Sequence, residues 1–279
     1  MLFFAEGEAT LTVPESRVVQ TQSSNPTPQE IARLAFEELI KGPSRKAELV
    51  PTIPPKTRLL SVSLSGDLLT VDFSRELVSY GGGATYEINL LNSILTTAAF
   101  IPNVRRVQIL IDGARRDYLP EGLPIGEPLE AQFFPNRLTP SEDRLAVVWL
   151  RLRQVGMVPV TISLGERWVE NLSSFLRQPQ GVGIAGLSGA PHLLEVVVEP
   201  MTPAPPKGLD VTSPPVFEQV TIELAEGFLD LPSDQQEVEL AQVVATFGAR
   251  RYRVSVGGRE REELSALADQ LRLTKRWLF

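Results

Sequence analysis

One structural phrase is written twice in this chain. Arg105-Arg106-Val107-Gln108-Ile109-Leu110-Ile111-Asp112-Gly113 is answered by Arg250-Arg251-Tyr252-Arg253-Val254-Ser255-Val256-Gly257-Gly258. Each block is a basic pair, a short alternating strand and a glycine turn. Each follows a helix-like stretch, ending at Phe100 in one copy and Phe247 in the other. A repeat constrains architecture before any local signal does, because a duplicated unit must find the same fold twice. The length of 279 residues leaves room for two domains of ordinary size.

The first copy starts with an apolar strand at Leu2–Phe4 and a looser extended piece over Leu11–Val19. Thr27, Pro28 and Glu30 then read as the capped start of a helix. Ile31, Leu34, Ala35 and Leu39 fall on one face of that helix at helical spacing, and Gly42-Pro43 stops it. Pro51–Pro55 leads to a hairpin: Leu60, Val62 and Leu64 alternate with serines, Ser65-Gly66-Asp67 turns, and Leu69–Phe73 returns. Gly81-Gly82-Gly83 precedes a second helix near Tyr86–Phe100 with a stripe of Ile88, Leu91, Leu95 and Ala98. The copy ends in a strand over Val104–Ile111. The order is β-α-β-β-α-β, a unit that forms a small sheet with both helices on one face.

The second copy repeats the order. Leu145–Arg153 alternates, Val158-Pro159 echoes Val13-Pro14, and Trp168, Leu172, Phe175 and Leu176 give a helical stripe. Val220–Leu224 and Phe228–Leu231 read as its hairpin, which sets Leu229-Asp230-Leu231 against Val71-Asp72-Phe73. Leu240, Val243, Val244 and Phe247 supply the second helix, and Tyr252–Val256 the last strand. Leu193–Val198 is an additional apolar stretch without a counterpart in this alignment. The expected organisation is a first domain over 1–135, a linker over 136–144, a second domain over 145–260, and a C-terminal helix and tail over 261–279. The fold class is α+β, as two tandem β-α-β-β-α-β units.

The order and spacing of the pieces in the first copy resemble the GerMN domain family of sporulation and spore germination. The resemblance rests on Leu2-Phe3-Phe4, Val13-Pro14, the helix Glu30–Gly42 with Leu39-Ile40-Lys41-Gly42-Pro43, Ile53-Pro54-Pro55-Lys56-Thr57, Val71-Asp72-Phe73-Ser74, and Val107–Gly113. It covers roughly residues 1–130, and the second copy departs from it where Asp112-Gly113 becomes Gly257-Gly258. The family is similar to the ring-building motifs of sporulation channel proteins. The resemblance implies a non-enzymatic, extracytoplasmic, often lipoprotein-like protein of the cell envelope. It acts there as a scaffold, with envelope or sporulation proteins, or further copies of itself, as partners.

Composition and motifs exclude more chemistry than they offer. There is no cysteine, so disulfides and thiol chemistry are absent. The net charge of -7 argues against a general nucleic-acid partner. No apolar run is long enough to span a bilayer. An opening strand at Met1-Leu2-Phe3-Phe4 fits either a leader or anchor lying upstream or a short native start.

Gly181–Gly186 matches the dinucleotide fingerprint in letters but follows a helix instead of a strand. Gly81-Gly82-Gly83 precedes a helix but lacks the phosphate-loop Lys and Ser/Thr. His192 is the single histidine, with no nucleophile elbow around Ser188, so neither a triad nor a multi-histidine zinc site can be assembled. No catalytic, cofactor or metal residues are therefore assigned. Asp72, Asp230, Glu76 and Asp112 are the carboxylates a cell-wall hydrolase would need, and they read first as solvent-face or turn residues. The pairs Arg105-Arg106, Arg115-Arg116 and Arg250-Arg251 are candidate contacts for a cell-wall glycan or an anionic polymer such as teichoic acid, for phospholipid headgroups or for an acidic partner, against a plainer reading as solvated strand ends. Trp277 and Phe279 read as folding back on the core.

Overall fold

The computed structural model describes residues 1–6, 11–21, 24–45, 48–132, 135–136, 145–152, 156–163, 168–179, 187–199 and 217–274. It divides into two compact units, Met1–Pro135 and Asn136–Phe279. Residues 180–186, 200–216 and 275–279 lie outside the described residues, and with them the Gly181–Gly186 motif, Trp277 and Phe279.

In the first unit, β1 (Leu2–Glu6) is the centre of a three-stranded antiparallel sheet, flanked by β2 (Thr12–Glu15) and β3 (Leu49–Val50). Between these strands runs α1 (Pro28–Ile40), whose first turn is capped by Thr27 Oγ1 accepting from Glu30 N at 3.2 Å. A second sheet has the order β4 (Leu59–Ser65), β5 (Leu68–Phe73), β6 (Arg106–Ile111), β7 (Leu129–Glu130). β4 and β5 form a hairpin. β5 and β6 are parallel, so the chain crosses between them through α2 (Gly83–Ala99).

The strands of the unit thus divide between two sheets, where the sequence pattern places them in one. The reason is local to β1: both of its edges are occupied, one by the Val13-Pro14 strand and one by Leu49–Val50. Pro14 sits opposite Phe3 on an edge strand, where a missing N–H is tolerated.

Both helices are rotated from their apolar stripes. In α1 the buried residues are Ala32, Phe36 and Leu39. Phe36 meets Phe73 edge-on, with ring centroids 6.0 Å apart, and this large contact fixes the rotation. In α2 they include Leu90, Ser93, Ile94, Thr97 and Ala98, while Ile88 is exposed. Thr97 Oγ1 accepts from Phe3 N at 3.2 Å, and the Ser93 hydroxyl lies 2.6 Å from that of Thr52. These bonds draw a hydroxyl-bearing face inward, and an apolar count is blind to that.

The second unit follows the same plan. β8 (Leu145–Leu152) is flanked by β9 (Gly156–Ser163) and β10 (Leu187–Ser188), and α3 spans Trp168–Arg177. The four-stranded sheet has the order β11 (Leu193–Glu199), β12 (Phe217–Leu224), β13 (Ala249–Val256), β14 (Arg259–Glu260). β12 and β13 are parallel and joined through α4 (Ser233–Thr246).

This corrects the hairpin read from sequence. The strand partner of Phe217–Leu224 is Leu193–Glu199, the stretch that had no counterpart. Phe228 lies instead in a 3-10 turn over Glu226–Asp230, which answers the 3-10 turn over Arg75–Val78. The residues equivalent to Val71-Asp72-Phe73 are therefore Ile222-Glu223-Leu224. Arg250 and Arg251 lie within β13, not ahead of it.

The two units repeat one another in detail. A β-bulge interrupts β4 between Leu59 and Ser61, and β11 between Leu193 and Glu195. It leaves Leu60 and Leu194 exposed at 42% and 48%. Thr97 binds the amide of Phe3 in the first strand, and Thr246 Oγ1 accepts from Trp149 N at 3.1 Å. Asp72 Oδ1 accepts from Gly113 N at 2.9 Å, and Glu223 Oε1 accepts from Gly258 N at 2.7 Å. Leu77 and Phe228 are the fully buried residues of the two 3-10 turns.

Asp112-Gly113 and Gly257-Gly258 have the same conformation, with φ of 50° and 76° in one turn and 56° and 75° in the other. Positive φ at both centres is the hairpin turn that Asp-Gly and Gly-Gly both allow. The departure from the family pattern at Gly257-Gly258 leaves the backbone unchanged.

The outer edge of the parallel pair is closed differently in each unit. In the first, β7 pairs with Arg106 and Val107, and Gln108 Nε2 donates to Ile125 O at 3.2 Å. In the second, α5 (Glu262–Thr274) closes it with side chains. Ser265 Oγ accepts from Val254 N at 2.9 Å and Asp269 Oδ1 from Tyr252 N at 3.2 Å. Covering an edge in this way blocks strand addition. Asp269→Ala should cost about 1 kcal/mol. It should also speed amide exchange at Tyr252, read by exchange mass spectrometry, while exchange in the first unit stays as in the parent.

Candidate interaction surface

Three groups of buried and half-buried charges, around Glu87, Glu15 and Glu239, hold the chain in place. Glu87 in the second turn of α2 is fully buried. It accepts from Tyr80 Oη at 2.6 Å, Glu121 N at 2.6 Å and Leu123 N at 2.7 Å, and so fastens the loop after β6 to α2. Burial pushes its carboxyl up, but these three donors outweigh burial and hold it below the usual range. Burial, then the hydrogen bond to Glu87, pushes the Tyr80 hydroxyl well above the ordinary tyrosine range.

A second cluster caps the C-terminus of α1. Arg17 donates to the carbonyls of Glu38, at 3.0 Å, and Gly42. Its guanidinium also pairs with Glu15 at 2.6 Å and Glu38 at 3.0 Å. Glu15 further accepts from the amides of Ser44 and Arg45. Burial raises its carboxyl, but the Ser44 amide and the Arg17 guanidinium outweigh burial and hold it below the ordinary value. In the second unit His192 Nδ1 lies 3.0 Å from Glu239 Oε1, and its ring meets Phe228 edge-on. His192 thus ties the turn before β11 to α4. Ser188 Oγ donates to Arg151 O at 3.3 Å and does not meet it.

The carboxylates singled out in the sequence bind turns or stand exposed. Asp72 stands opposite Ser61 on the face away from the core but is buried there, because it binds the Gly113 turn. Asp112 Oδ1 accepts from Arg75 N at 3.1 Å, and Glu76 lies 3.9 Å from Arg75. Asp230 belongs to the other unit, exposed in its 3-10 turn. Gly81-Gly82-Gly83 leads directly into α2, where a Cβ on Gly82 would lie 2.5 Å from Tyr86 Cβ. The glycine there makes room for an aromatic ring. Among the described residues, no three or more His, Cys, Asp or Glu side chains are placed to hold a metal, and no helix is long and apolar enough to cross a membrane.

What remains accessible is one face of the second unit's four-stranded sheet; in the first unit that face is exposed along β4 but buried at Asp72 and Gln108. In the second unit, Val220, Ile222 and Leu224 of β12 and Tyr252, Val254 and Val256 of β13 are buried. The alternate residues form three cross-strand rows on the opposite face. By register they are Glu195, Glu223 and Ser255; Val197, Thr221 and Arg253; and Glu199, Gln219 and Arg251. The outer members on β11 and β13 are exposed, apart from half-buried Ser255. Acidic side chains stand on β11 and basic ones on β13. Sequence alternation alone announces such a face, but the signal for its rows was missed because β11 was not recognised as a partner strand. In the first unit the same positions on β4 are Ser61, Ser63 and Ser65, all exposed and uncharged. Of the arginine pairs, Arg106 is held by Asp67 at 2.8 Å and Arg250 by Glu218 at 3.4 Å.

Comparison with known proteins agrees with this architecture. No curated protein sequence matches the chain. The tandem GerMN domains of the sporulation protein GerM from Bacillus subtilis superpose with a TM-score of 0.60 at 16% identity, covering 92% of this chain and 90% of that one. A Clostridium perfringens protein provisionally described as a lipoprotein is similar over 47% of this chain and 87% of its own, at 24% identity and a TM-score of 0.36. The first GerMN domain of GerM is similar over 47% of this chain and 98% of its own, at 21% identity and a TM-score of 0.35. Residues 1–117 match the Germane family, described as sporulation and spore germination, and the chain as a whole has the fold of tandem GerMN domains.

Proposed function

We propose that this protein is a non-enzymatic assembly protein of the bacterial cell envelope, tied to sporulation or germination, that works through association of its two units with other proteins. The observation that carries the reading is the duplicated unit itself: the second unit leaves ordered rows of exposed side chains on β11 and β13, and the first exposes Ser61, Ser63 and Ser65 on β4. Two such units on one chain give two contacts whose effects multiply. The buried carboxylates serve as clamps on backbone amides, which leaves the hydrolase reading without an acid–base pair. The anionic-polymer reading is weakened by the internal pairing of Arg106 and Arg250.

The test is crosslinking of the tagged full-length chain in its own host during sporulation, followed by isolation of the envelope fraction. A discrete envelope or sporulation protein joined to the chain is the expected result. Recovery of the chain only as an unattached species, or turnover of cell-wall polymer by the purified protein, would overturn it.

A further inference from the structure

We propose that the open face of the β11–β12–β13 sheet docks against the same face of a second copy of this chain, about a two-fold axis parallel to β12. The inference rests on the association reading above and names one partner and one surface for it.

The argument is charge complementarity within a known register. Glu195 and Glu199 stand on β11, and Arg251 and Arg253 on β13, with Thr221 on the strand between. Among the described residues no ion pair engages Glu195 or Arg251. A two-fold axis along β12 lays β11 of one copy over β13 of the other and keeps the rows aligned. Glu199 then faces the second copy's Arg251, twice by symmetry, because both belong to the Gln219 row. Val197, exposed at 50%, lies over the aliphatic stem of the second copy's Arg253, whose guanidinium is held by Glu260 at 3.2 Å. On the axis Glu223 faces its own copy, each carboxylate held by the Ser255 hydroxyl and the Gly258 amide, whereas an axis across the strands would lay β11 on β11 and set Glu195 against Glu199 at both ends.

Edge pairing is disfavoured by the same residues. Antiparallel addition of β11 to its own copy, centred on Val197, would put Glu195 opposite Glu199, and the bulge at Leu194 bends that edge. The first unit has no equivalent charge columns, since its β4 presents Ser61, Ser63 and Ser65. A face this polar gives a weak, salt-sensitive contact at the small end of protein interfaces.

Sedimentation equilibrium of the full chain at low salt tests this with a charge swap. The parent should form dimers that dissociate as salt is added. Arg251→Glu and Glu199→Arg should each weaken dimerisation about tenfold or more. An equimolar mixture of the two variants should restore a dimer, because each then supplies the charge the other lacks. The double variant should restore it alone. A parent that stays monomeric at all concentrations overturns the proposal, as do single variants that dimerise like the parent or a mixture that fails to recover. A monomer here together with a crosslinked envelope protein removes self-pairing only and leaves the assembly reading standing.

Discussion

Replacing Glu87 by Ala is expected to destabilise the first unit by about 3 kcal/mol. The substitution strands three donors at once: the Tyr80 hydroxyl and the amides of Glu121 and Leu123. Glu87 is fully buried and its donors are half-buried or, at Glu121, exposed, so the cost combines three lost bonds with donors left only partly met by water. The loop after β6 should open first, because Glu121 and Leu123 hold it to α2. Hydrogen exchange should therefore speed up over residues 117–126, with smaller changes in β1 and β2. All three tryptophans, Trp149, Trp168 and Trp277, lie in the second unit's stretch of chain. Tryptophan fluorescence in urea should then report an almost unchanged transition, which separates a local effect from general unfolding. The pH dependence follows in sign. A carboxyl held below its ordinary value stabilises the fold at pH above the unfolded value, about 4.3. That contribution is lost as pH falls through the lower folded value. Glu87→Gln should thus reduce the acid sensitivity of the first unit. Glu15 and Glu38, also held low, continue to contribute with the same sign.

Phe228→Ala should cost the second unit about 4 kcal/mol. Phe228 is fully buried beneath the 3-10 turn that follows β12, against the ring of His192. His192 is itself held by Glu239 and is not free to close over the space a phenyl ring leaves, so a cavity term adds to lost transfer energy. Here the tryptophan transition should move to clearly lower urea. Leu77→Ala removes the equivalent plug of the first unit and should cost about 3 kcal/mol there, leaving the tryptophan signal in place. If Phe228 were a strand residue, as its alternating neighbours Leu229-Asp230-Leu231 invite one to read, its loss would disturb strand pairing instead. Amide exchange in β11 would then rise as steeply as exchange in the turn.

Those two residues also show where sequence reading succeeds and where it stops. The Leu77 turn was passed over because a four-residue 3-10 turn has too few positions to show a period. Phe228–Leu231 was read as a strand because a short apolar run has no period that separates strand from turn. With the hairpin misplaced, the alignment of the copies drifted, and Asp230 was matched to Asp72 in place of Glu223. The hydrogen bonds to Gly113 and Gly258 settle the match, because a carboxylate must reach the same amide in both units. The interaction face was hidden by the same error: its acidic column sits on β11, the stretch left without a role.

Features that depend on neighbours along the chain are legible in the amino-acid order. Thr27-Pro28 starts a helix and Gly42 ends one because capping and positive φ are local demands. The two matching strand-and-turn blocks declared the duplication. Only the tertiary structure decided which helix face turns inward, which strands share a sheet, and which charges stand in one row. Those outcomes depend on partners far away in the chain. Phe3 meets Thr97, Phe36 meets Phe73, and Leu193–Glu199 meets Phe217–Leu224. The free energy of such contacts exists only once the segments are brought together.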